Sequence, residues 1–459
     1  MQSAAAALRL SLLCSLAIAG GGCIAQAQTQ TQERTGAEAF GDWRSDAPGV
    51  VRHIRAADEP PVSAASALPA LPAPRPAGAE PHTLPGFTVK AFAEVPAARQ
   101  MRIAPNGDVF VAASSRGVIE VLRAADGAAS AAQHETFATG LRLPYGIAFW
   151  PPGPSPQWVY VGEVNRIVRF PYRTGDLKAR GPLEVIVPEL APTTSDHVTR
   201  DLEFTPDGKS LLVAVGSGSN VSQEMPAKTL EEAKAWDAQM HATGAAWGPE
   251  AHRADLLRFD PDGKHEAIYA TGIRNCVTVR LQPRTHVPWC AVNERDSLGD
   301  NLPFDYVTSV RRGGFYGWPW YYIGAHEDSR PKSQRPDLAA KVITPDVLIQ
   351  AHSAPLGLAF YDAGRGPAAF PKAYDGDAFV ALHGSWNRAR RTGYKVVRVK
   401  LRNGVATGAY EDFLTGFVVD ERSVWGRPVG VAVAHDGALL VSDDGGGLIW
   451  RVAPEKGSQ

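Results

Sequence analysis

Histidine and arginine side chains that could carry chemistry recur beside short apolar runs along this sequence. His197 and Arg200 precede one such run, Arg274 and Asn275 precede the next, and Arg427 precedes the last. Imidazole has an unperturbed pKa near 6.5 and suits a general base. Guanidinium groups pair bidentately with carboxylates. His197 and Arg200 are candidate catalytic residues, and Arg274, Arg388 and Arg427 could hold a flat, multiply anionic ligand, although a salt bridge between blades would explain any single one of these arginines as well.

A candidate metal site lies in the acidic stretch after Val292. It contains Asn293, Glu294, Arg295, Asp296 and Asp300. Ca²⁺ takes carboxylate and carbonyl oxygens from loops of this kind. The glycine and terminal glutamate of an EF-hand are absent, and a solvated acidic loop explains the spacing as well. Both interpretations stay open on spacing alone.

These residues belong to a repeating unit of two apolar strands joined by a Pro/Asn/Asp/Gly turn. Copies begin near residues 101, 146, 202, 278, 358 and 431. Asp-Gly is a strong hairpin signal, and the blades of a propeller bury their faces against their neighbours. The repeats predict an all-β, six-bladed β-propeller over residues 83–455, with the polar clusters on one face. The last copy should close the ring by pairing near residues 87–89.

Helical signal is sparse in the sequence. Residues 229–240 form the one decent amphipathic stretch, with Leu230, Ala233, Trp236 and Met240 at helical spacing. This stretch lies in an insertion between repeat copies. We therefore expect one helix there, outside the strands.

The first residues are typical of an export signal. Arg9 precedes a short apolar run over 10–18, and Ala25-Gln26-Ala27 is a small-x-small cleavage site. The run is too short to span a bilayer. We predict a signal peptide over 1–27 and a periplasmic or secreted protein. As a minor alternative, Cys23 would be lipidated and anchor the chain to a membrane.

Residues 28–82 are rich in Ala, Pro, Gln and Thr. Such a composition buries little apolar surface and favours extended, flexible chain. We predict a disordered spacer over 28–82 rather than a domain.

Two cysteines, Cys276 and Cys290, remain beyond the signal region. An even pair in an oxidising compartment predicts a disulfide. Both lie in apolar segments with a turn-like stretch between them, so the bridge would join two neighbouring strands. Neither has metal-ligand spacing or a haem-attachment motif.

Composition excludes some classes of function. Formal net charge is −1 and hydrophobic content is 44%, which is typical of a soluble globular protein. The densest basic cluster, residues 388–391, is short, and such a cluster is usually a solvated edge. Nucleic acid is therefore not an expected partner.

Over residues 84–452 the sequence resembles the quinoprotein sugar dehydrogenases of the sorbosone dehydrogenase and soluble glucose dehydrogenase type. The stretches that carry the resemblance are Tyr145-Gly146-Ile147-Ala148-Phe149, Asp196-His197 with Arg200-Asp201, Gly272-Ile273-Arg274-Asn275, Asn293-Glu294-Arg295-Asp296, residues 313–319, His383-Gly384-Ser385-Trp386-Asn387-Arg388 and Trp425-Gly426-Arg427-Pro428-Val429. The sorbosone branch matches best, through the His-Gly-Ser-Trp-Asn-Arg stretch. Relatives of this type are exported six-bladed propellers that bind pyrroloquinoline quinone (PQQ) and Ca²⁺.

The resemblance implies roles for single residues. His197 matches the catalytic base, and Arg274, Asn275 and Arg427 match cofactor-binding residues. A further cofactor-binding cation corresponds to Arg388 or Lys395. The loop at 293–300 matches the one that supplies carbonyl ligands to Ca²⁺. The implied reaction is oxidation of a sugar or sugar aldehyde, with electrons leaving to a separate acceptor such as a cytochrome or quinone.

One position departs from the pattern of the family. The glucose enzymes place an aspartate after the glycine that corresponds to Gly216, and Ser217 stands there instead. A serine cannot stabilise an imidazolium as a carboxylate does. We therefore expect His197 to be a weaker base, unless Asp196 or Asp201 turns toward it.

Two alternative functions are compatible with the same repeats. The first is a Ca²⁺-dependent lactonase-type hydrolase, whose metal would be held by Glu163, Asn275, Asn293 and Asp443. The second is a non-enzymatic binding propeller, which the serine at 217 suggests. Binding of PQQ would distinguish the dehydrogenase from both.

Overall fold

A computed structural model describes residues 33–192, 197–362 and 366–455. The predicted signal peptide over 1–27, with Cys23, and residues 28–32 of the predicted spacer lie outside the described residues, as does Asp196. No helix among the described residues is long and apolar enough to cross a membrane.

The described residues form five four-stranded antiparallel sheets and one seven-stranded sheet, together with two two-stranded sheets. We number the larger sheets 1 to 6 by the chain order of their repeat copies. The strands of sheet 1 are Ala98–Ile103, Val109–Ala113, Val118–Arg123 and Gln133–Ala138; of sheet 2, Ile147–Trp150, Trp158–Gly162, Ile167–Pro171 and Glu184–Val187; of sheet 3, Leu202–Phe204, Leu211–Val215, Asp255–Phe259 and Ala267–Ala270. The strands of sheet 4 are Cys276–Leu281, Pro288–Val292, Asp305–Ser309 and Val347–Ile349; of sheet 6, Pro428–Val433, Leu439–Asp443, Leu448–Pro454 and Phe87–Glu94.

Sheet 5 is the larger one. Its strands are Pro355–Phe360, Ala378–Leu382, Lys395–Arg402, Val405–Thr415, Val51–His53, Glu33–Thr35 and His82–Thr83. Three of these strands come from the N-terminal segment: Val51–His53 and His82–Thr83 pair with Val405–Thr415, and Glu33–Thr35 pairs with Val51–His53.

The all-β propeller is confirmed, but the prediction of six blades is wrong. Within the described residues, five sheets have the four-stranded form of a blade. The repeat copy near residue 358 lies instead in the seven-stranded sheet 5, because the N-terminal segment adds three strands to it. The first strands of neighbouring sheets contact one another around a closed ring.

The ring closes where the sequence predicted. Leu448–Pro454 pairs antiparallel with Phe87–Glu94, with Val452 opposite Val89 and Pro454 opposite Phe87. Because the last strand of the chain pairs with one of the first, sheet 6 joins both ends of the propeller.

Sheet 3 shows how the sequence forms a blade and positions its polar end. Leu202 pairs with Val213 and Phe204 pairs with Leu211 across the Pro-Asp-Gly turn. Gly208 has a φ of +67° there, which glycine adopts without strain. Every residue of Leu211–Val215 is buried, so this strand faces apolar neighbours on both sides. The residues just before Leu202 are thereby fixed at the end of a rigid unit.

Helical structure is limited in the described residues. The predicted helix is present as Leu230–Met240, begun by a capping box between Thr229 and Glu232. Short 3₁₀ segments lie at Gly36–Phe40, Trp43–Ser45, Ala56–Asp58, Ser114–Arg116, Gly248–Glu250, Pro336–Lys341 and Lys372–Tyr374. The two-stranded sheets pair Tyr321–Tyr322 with His326–Glu327 and Leu71–Pro72 with Ser423–Val424.

The predicted disulfide between Cys276 and Cys290 is confirmed. Their Cα atoms are 5.4 Å apart, and they lie on adjacent strands of sheet 4. Arg274 and Asn275 come directly before the first of these strands, so the bridge braces the strand that follows them.

The prediction of a disordered spacer is wrong for the described part of 28–82. Arg52 is completely buried, and its guanidinium lies 2.6 Å from Asp46 Oδ1 and 2.8 Å from Asp412 Oδ2. Lys395 Nζ lies 2.8 Å from Asp46 Oδ1. The charges of Arg52 and Lys395 thus balance those of Asp46 and Asp412 inside sheet 5. These ion pairs hold the N-terminal segment against the sheet.

Replacing Lys395 with methionine should lower the free energy of unfolding by about 3–5 kcal/mol, because Asp46 and Asp412 keep only one buried cation between them. Urea unfolding measures this loss. Lys400→Met is the matched control from the same strand, since Lys400 makes a partly exposed pair with Glu411 and should contribute less than about 1 kcal/mol. Equal effects of the two substitutions would contradict the buried network.

Candidate functional site

A cavity of about 410 Å³ gathers six of the predicted site residues. They are His197, Arg274, Asn275, Asn293, Glu294 and Asp296. The remaining lining residues are Gly218, Ser219, Asn220, Asp305, His352, Ala354, Trp386 and Asn387. The volume lies in the range of small-molecule sites. The wall is strongly polar, with an arginine, two histidines and three carboxylates.

His197 is held in one tautomer. Its Nδ1 lies 2.9 Å from the carbonyl oxygen of Ser217 and 3.1 Å from Ser217 Oγ. A carbonyl oxygen only accepts hydrogen bonds, so Nδ1 carries the proton and Nε2 of the neutral ring carries the lone pair. The main chain thus orients the imidazole where the glucose enzymes are expected to use an aspartate.

The charge state of His197 follows from its surroundings. Burial and the nearby Arg274 guanidinium lower the pKa of His197 to about 3. The ring is therefore neutral at physiological pH, with Nε2 unprotonated. A Cβ on Gly216 would lie 2.3 Å from Asn275 Oδ1 and 2.9 Å from His197 Cβ, so glycine is required for these two side chains to approach each other.

Arg200 bonds to the main chain of His197, whereas Asp201 bonds elsewhere. Arg200 is completely buried, and its Nη1 donates to the carbonyl oxygens of His197 (2.7 Å) and Thr199 (2.5 Å). Burial and Arg253 lower the pKa of Arg200 to about 9. Asp201 accepts hydrogen bonds from Arg280 Nη1 and, at 3.0 Å, the Val279 amide. Arg200 therefore positions the backbone of His197, and Asp201 pairs with Arg280.

Arg274 links the two sides of the cavity. Its Nη1 donates to the carbonyl oxygens of Asn293 (3.2 Å) and Glu294 (2.7 Å), and its Nη2 donates to Asn220 Oδ1 (3.0 Å). Asp296 Oδ2 lies 3.6 Å from Nη2. The guanidinium is thus a buried positive charge in the wall, and it already contacts the carbonyls that the resemblance assigned to Ca²⁺.

The predicted metal loop contributes oxygen atoms to this cavity. Asn293 Oδ1 and Glu294 Oε1 are buried and have no hydrogen-bond partner. Asp305 accepts 2.8 Å hydrogen bonds from the amides of Glu294 and Ala354, and burial raises the pKa of its carboxyl to about 7. Among the described residues, no cluster of three or more His, Cys, Asp or Glu side chains is preassembled around one point.

Four predicted site residues point elsewhere. Arg295 is completely buried and contacts Glu294, Asp328 and the carbonyl of Tyr321. Lys395 lies in the network of sheet 5. Asp300 and Arg388 bond to the N-terminal segment and to neighbouring loops. None of these four side chains lines the cavity.

Arg427 lines a second cavity, of about 400 Å³. Its Nε lies 3.0 Å from Asp444 Oδ1, and Asp444 also contacts Arg99 (2.7 Å) and His383 (3.0 Å). Burial acts to raise the pKa of Asp444, but the contacts with His383, Arg99 and Arg427 outweigh it and hold the pKa well below its usual range. The buried Tyr145 lines the same cavity. Since Val198 and Thr199 line it too, the two cavities lie on either side of the 197–199 segment.

Sequence reasoning missed several residues of the first cavity. Asn220 Oδ1 accepts from Arg274 and from the Asp296 amide (2.8 Å), which joins the arginine to the acidic loop. His352 Nε2 donates to the Gly299 carbonyl (2.9 Å), and its Nδ1 accepts from Asn387 Nδ2 (3.0 Å). The recurrence of histidine at the start of a repeat could have pointed to His352. Asn220 carries no such signal, because it lies in an irregular insertion.

The chain matches a known family over most of its length. The TrAA12-like family model covers residues 81–307 and 326–455. The chain belongs to the TrAA12-like family. The matched ranges include every side chain that lines either cavity.

Two curated proteins resemble this TrAA12-like chain in sequence. An uncharacterized protein of Borreliella burgdorferi is 34% identical over 210 residues, which cover 45% of this chain and 54% of that protein. A pyrroloquinoline quinone-dependent pyranose dehydrogenase of Coprinopsis cinerea is 34% identical over 132 residues, covering 25% of this chain and 17% of that protein. The chain thus spans about half, or less, of the length of these relatives.

Solved structures confirm the fold of this family member. The holo form of the pyranose dehydrogenase PQQ domain from Coprinopsis cinerea superposes with a TM-score of 0.65 at 19% identity, covering 84% of this chain and all of that domain. A calcium structure of the Trichoderma reesei family AA12 protein gives a TM-score of 0.65 at 20% identity, covering 82% of this chain and 97% of that one.

Proposed function

We propose that this protein is a PQQ- and Ca²⁺-dependent oxidoreductase that oxidises a sugar or sugar aldehyde, of the aldose or sorbosone type. The observation that carries the proposal is His197, whose Nδ1 is tied to the Ser217 carbonyl. Its lone pair is thereby kept on Nε2, at the wall of a cavity that also contains a buried arginine. Membership of the TrAA12-like family, with relatives named as PQQ-dependent dehydrogenases, supports the same chemistry.

The residues of the first cavity fit a flat, anionic quinone such as PQQ. Arg274 supplies a buried positive charge for a carboxylate. Asn275 Oδ1 is buried without a hydrogen-bond partner and can accept from an N–H or O–H group of a ligand. Trp386, whose side chain is 54% exposed, lines the cavity and offers an aromatic face for stacking. Arg274, Asn275 and Trp386 would hold the cofactor.

Calcium fits the acidic side of the same cavity. Glu294 and Asp296 would repel an anionic cofactor unless a cation lay between them. Unpartnered buried oxygens on Asn293 and Glu294 are the donors that Ca²⁺ prefers. We assign these three side chains as its ligands. Arg295 and Asp300 are left out, because their side chains are bonded elsewhere.

The reaction requires one proton acceptor and one oxidant. PQQ, when bound, would supply a quinone that takes up the carbon-bound hydrogen of the substrate with its two electrons as a hydride, and a separate redox partner would reoxidise it. His197 Nε2 would accept the proton of the substrate hydroxyl, since the bond between Nδ1 and the Ser217 carbonyl leaves the lone pair on Nε2. Arg200 fixes the main chain of His197. The proton then leaves from Nε2 to solvent.

Several further properties belong to this proposal. The protein is exported to the periplasm or beyond the cell, in keeping with the signal-like residues 1–27 and the Cys276–Cys290 disulfide. Its electron acceptor is a separate cytochrome or quinone.

The hydrolase alternative is not favoured by the geometry. Glu163 accepts from the Arg142 amide (2.6 Å) and contacts Arg166, and Asp443 accepts from the amides of Arg427, Gly445 and Gly446. Neither side chain lines the cavity that holds Asn275 and Asn293. The four ligands that a lactonase-type site would need are therefore not brought together.

Dye reduction tests the proposed function. Purified protein, supplied with PQQ and Ca²⁺, is offered a panel of aldoses, sugar aldehydes and polyols. We expect substrate-dependent reduction that disappears without PQQ and falls after chelation with EDTA. Lactone hydrolysis without PQQ would favour the alternative, and bound PQQ with no turnover of any substrate would contradict the proposal.

A further inference from the structure

Two loops that line the first cavity are joined to each other outside it. Residues 293–301 supply Asn293, Glu294 and Asp296, and residues 385–391 supply Trp386 and Asn387. Asn387 Nδ2 donates to Asp296 Oδ1. Further out, the Ala389 amide donates to Asp300 Oδ2 (3.0 Å), and Arg388 Nη2 donates to Asn301 Oδ1 (2.6 Å). The position of one loop therefore depends on the other.

The N-terminal segment 36–73 bonds to both loops through its main chain. The Ser63 amide donates to the Leu298 carbonyl (3.0 Å), the Ser66 amide to Asp300 Oδ1 (3.2 Å) and the Leu68 amide to the Trp386 carbonyl (2.8 Å). In return, Arg388 Nη2 donates to the Phe40 carbonyl (2.7 Å) and Arg391 Nη2 to the Pro69 carbonyl (2.9 Å). These contacts follow one another along the segment.

Asp300 and Arg388 each bond both to the N-terminal segment and to the other loop. Each oxygen of Asp300 accepts one backbone amide, Ser66 from the segment and Ala389 from the loop. Arg388 is 5% exposed, and a single nitrogen bonds both to the segment and to the 293–301 loop. Hydrogen bonds to charged groups are stronger than those between neutral groups.

Trp386 is the cavity residue whose position depends most on these bonds. Its side chain is 54% exposed, so little packing fixes it from outside. The backbone bond from Leu68 and the neighbouring bonds of Ala389 and Arg388 hold the main chain that carries the indole. A stacking wall that is held in place before the ligand arrives binds more tightly, because less side-chain and loop freedom is lost on binding.

We propose that segment 36–73 is a clamp that positions the Trp386–Asn387 wall against the 293–301 loop, with Asp300 and Arg388 as its positioning residues. The clamp strengthens binding of the flat anionic cofactor, and in this respect the inference rests on the proposed function. The clamp makes Asp300 and Arg388 indirect contributors to affinity, neither of them touching cofactor or metal.

Hydrogen–deuterium exchange and PQQ titration of Asp300→Ala test the clamp. In metal-free protein with EDTA present, we expect faster exchange in both 63–68 and 385–391. In Ca²⁺-loaded protein titrated with PQQ, we expect about tenfold weaker binding. Asp300→Asn keeps one acceptor oxygen and should lie between wild type and alanine. Ser66→Pro removes the donor without touching a ligand side chain, and should reproduce the effect. Asp207→Ala is the matched control, because this turn carboxylate also accepts a backbone amide, far from the cavity.

Three results would overturn the clamp. Faster exchange over the whole chain would reduce Asp300 to a general stabiliser, and unchanged exchange in 385–391 would show that the segment does not hold that loop. Loosened loops with unchanged PQQ affinity would show that the wall needs no support. If wild-type protein binds no PQQ, the proposed function fails, and the exchange data alone then decide whether the clamp exists.

Discussion

Replacing His197 with glutamine should lower turnover by about 10²–10⁴-fold, which is the usual contribution of a positioned general base. Glutamine can still donate to the Ser217 carbonyl but has no lone pair that takes up a proton at neutral pH. The affinity for PQQ should stay close to that of wild type, because Arg274, Asn275 and Trp386 are unchanged. Steady-state dye reduction and PQQ titration measure the two quantities separately.

His352→Gln is the matched control for that substitution. His352 lines the same cavity, but the Gly299 carbonyl and the Asn387 amide occupy both of its ring nitrogens. We expect this variant to lose stability or affinity and to keep most of its turnover per bound cofactor. Equal losses of turnover in the two histidine variants would remove the distinction between a base and a structural histidine.

The pH dependence of the reaction follows from the pKa of His197. Burial and Arg274 lower this pKa to about 3 in the protein without cofactor. Nε2 is therefore already unprotonated at pH 6.5, and kcat/KM should show no acid limb at the ordinary histidine pKa. A limb near 6.5 that His197→Gln abolishes would show that the imidazole is far less buried than its contacts indicate.

The second large effect concerns Arg274→Met. This substitution removes the positive charge of the cavity wall and leaves the Asn293 and Glu294 carbonyls without their donor. Loss of charged hydrogen bonds should weaken PQQ binding by at least about tenfold to a hundredfold. Breaking the buried charge network should lower the free energy of unfolding by about 3–5 kcal/mol. Calorimetric titration and urea unfolding measure the two effects.

Arg427→Met and Arg274→Lys are the comparison variants for Arg274→Met. Arg427 lies across the 197–199 segment in the second cavity, so its loss should affect PQQ binding less than loss of Arg274 if the cofactor occupies the first cavity. Lysine at 274 keeps the charge but cannot bond several acceptors in one plane, and should restore part of the affinity. Wild-type affinity in Arg274→Met would contradict the assignment of the first cavity.

The propeller and its closure could be predicted from the sequence because their signals are local. Apolar strands around Asp-Gly turns recur along the chain, and residues 87–89 supply the strand that the last repeat needs. The three extra strands of sheet 5 could not be predicted, because Glu33–Thr35 and His82–Thr83 pair through backbone bonds that leave no apolar alternation. Composition alone therefore indicates a spacer in a segment that the structure shows to be bonded to the propeller.

The candidate site could be predicted where one residue sits at the polar end of a repeat strand, as His197, Arg274 and Asn275 do. Arg388 and Lys395 stand at the expected position of the repeat or carry the expected charge, but their side chains bond outside the cavity. Their partners, such as the Phe40 carbonyl and Asp46, lie more than three hundred residues away in the sequence. The position of Asn220 in the cavity depends on the path of an irregular insertion. Such distant contacts leave no pattern that spacing can reveal.

Direct titration of the wild-type protein with PQQ, with and without Ca²⁺, tests the central claim of a PQQ site in the first cavity. We predict saturable one-to-one binding that weakens when EDTA removes the cation and again in Arg274→Met. Absence of saturable binding in folded protein, or binding that neither EDTA nor loss of Arg274 changes, would contradict this claim.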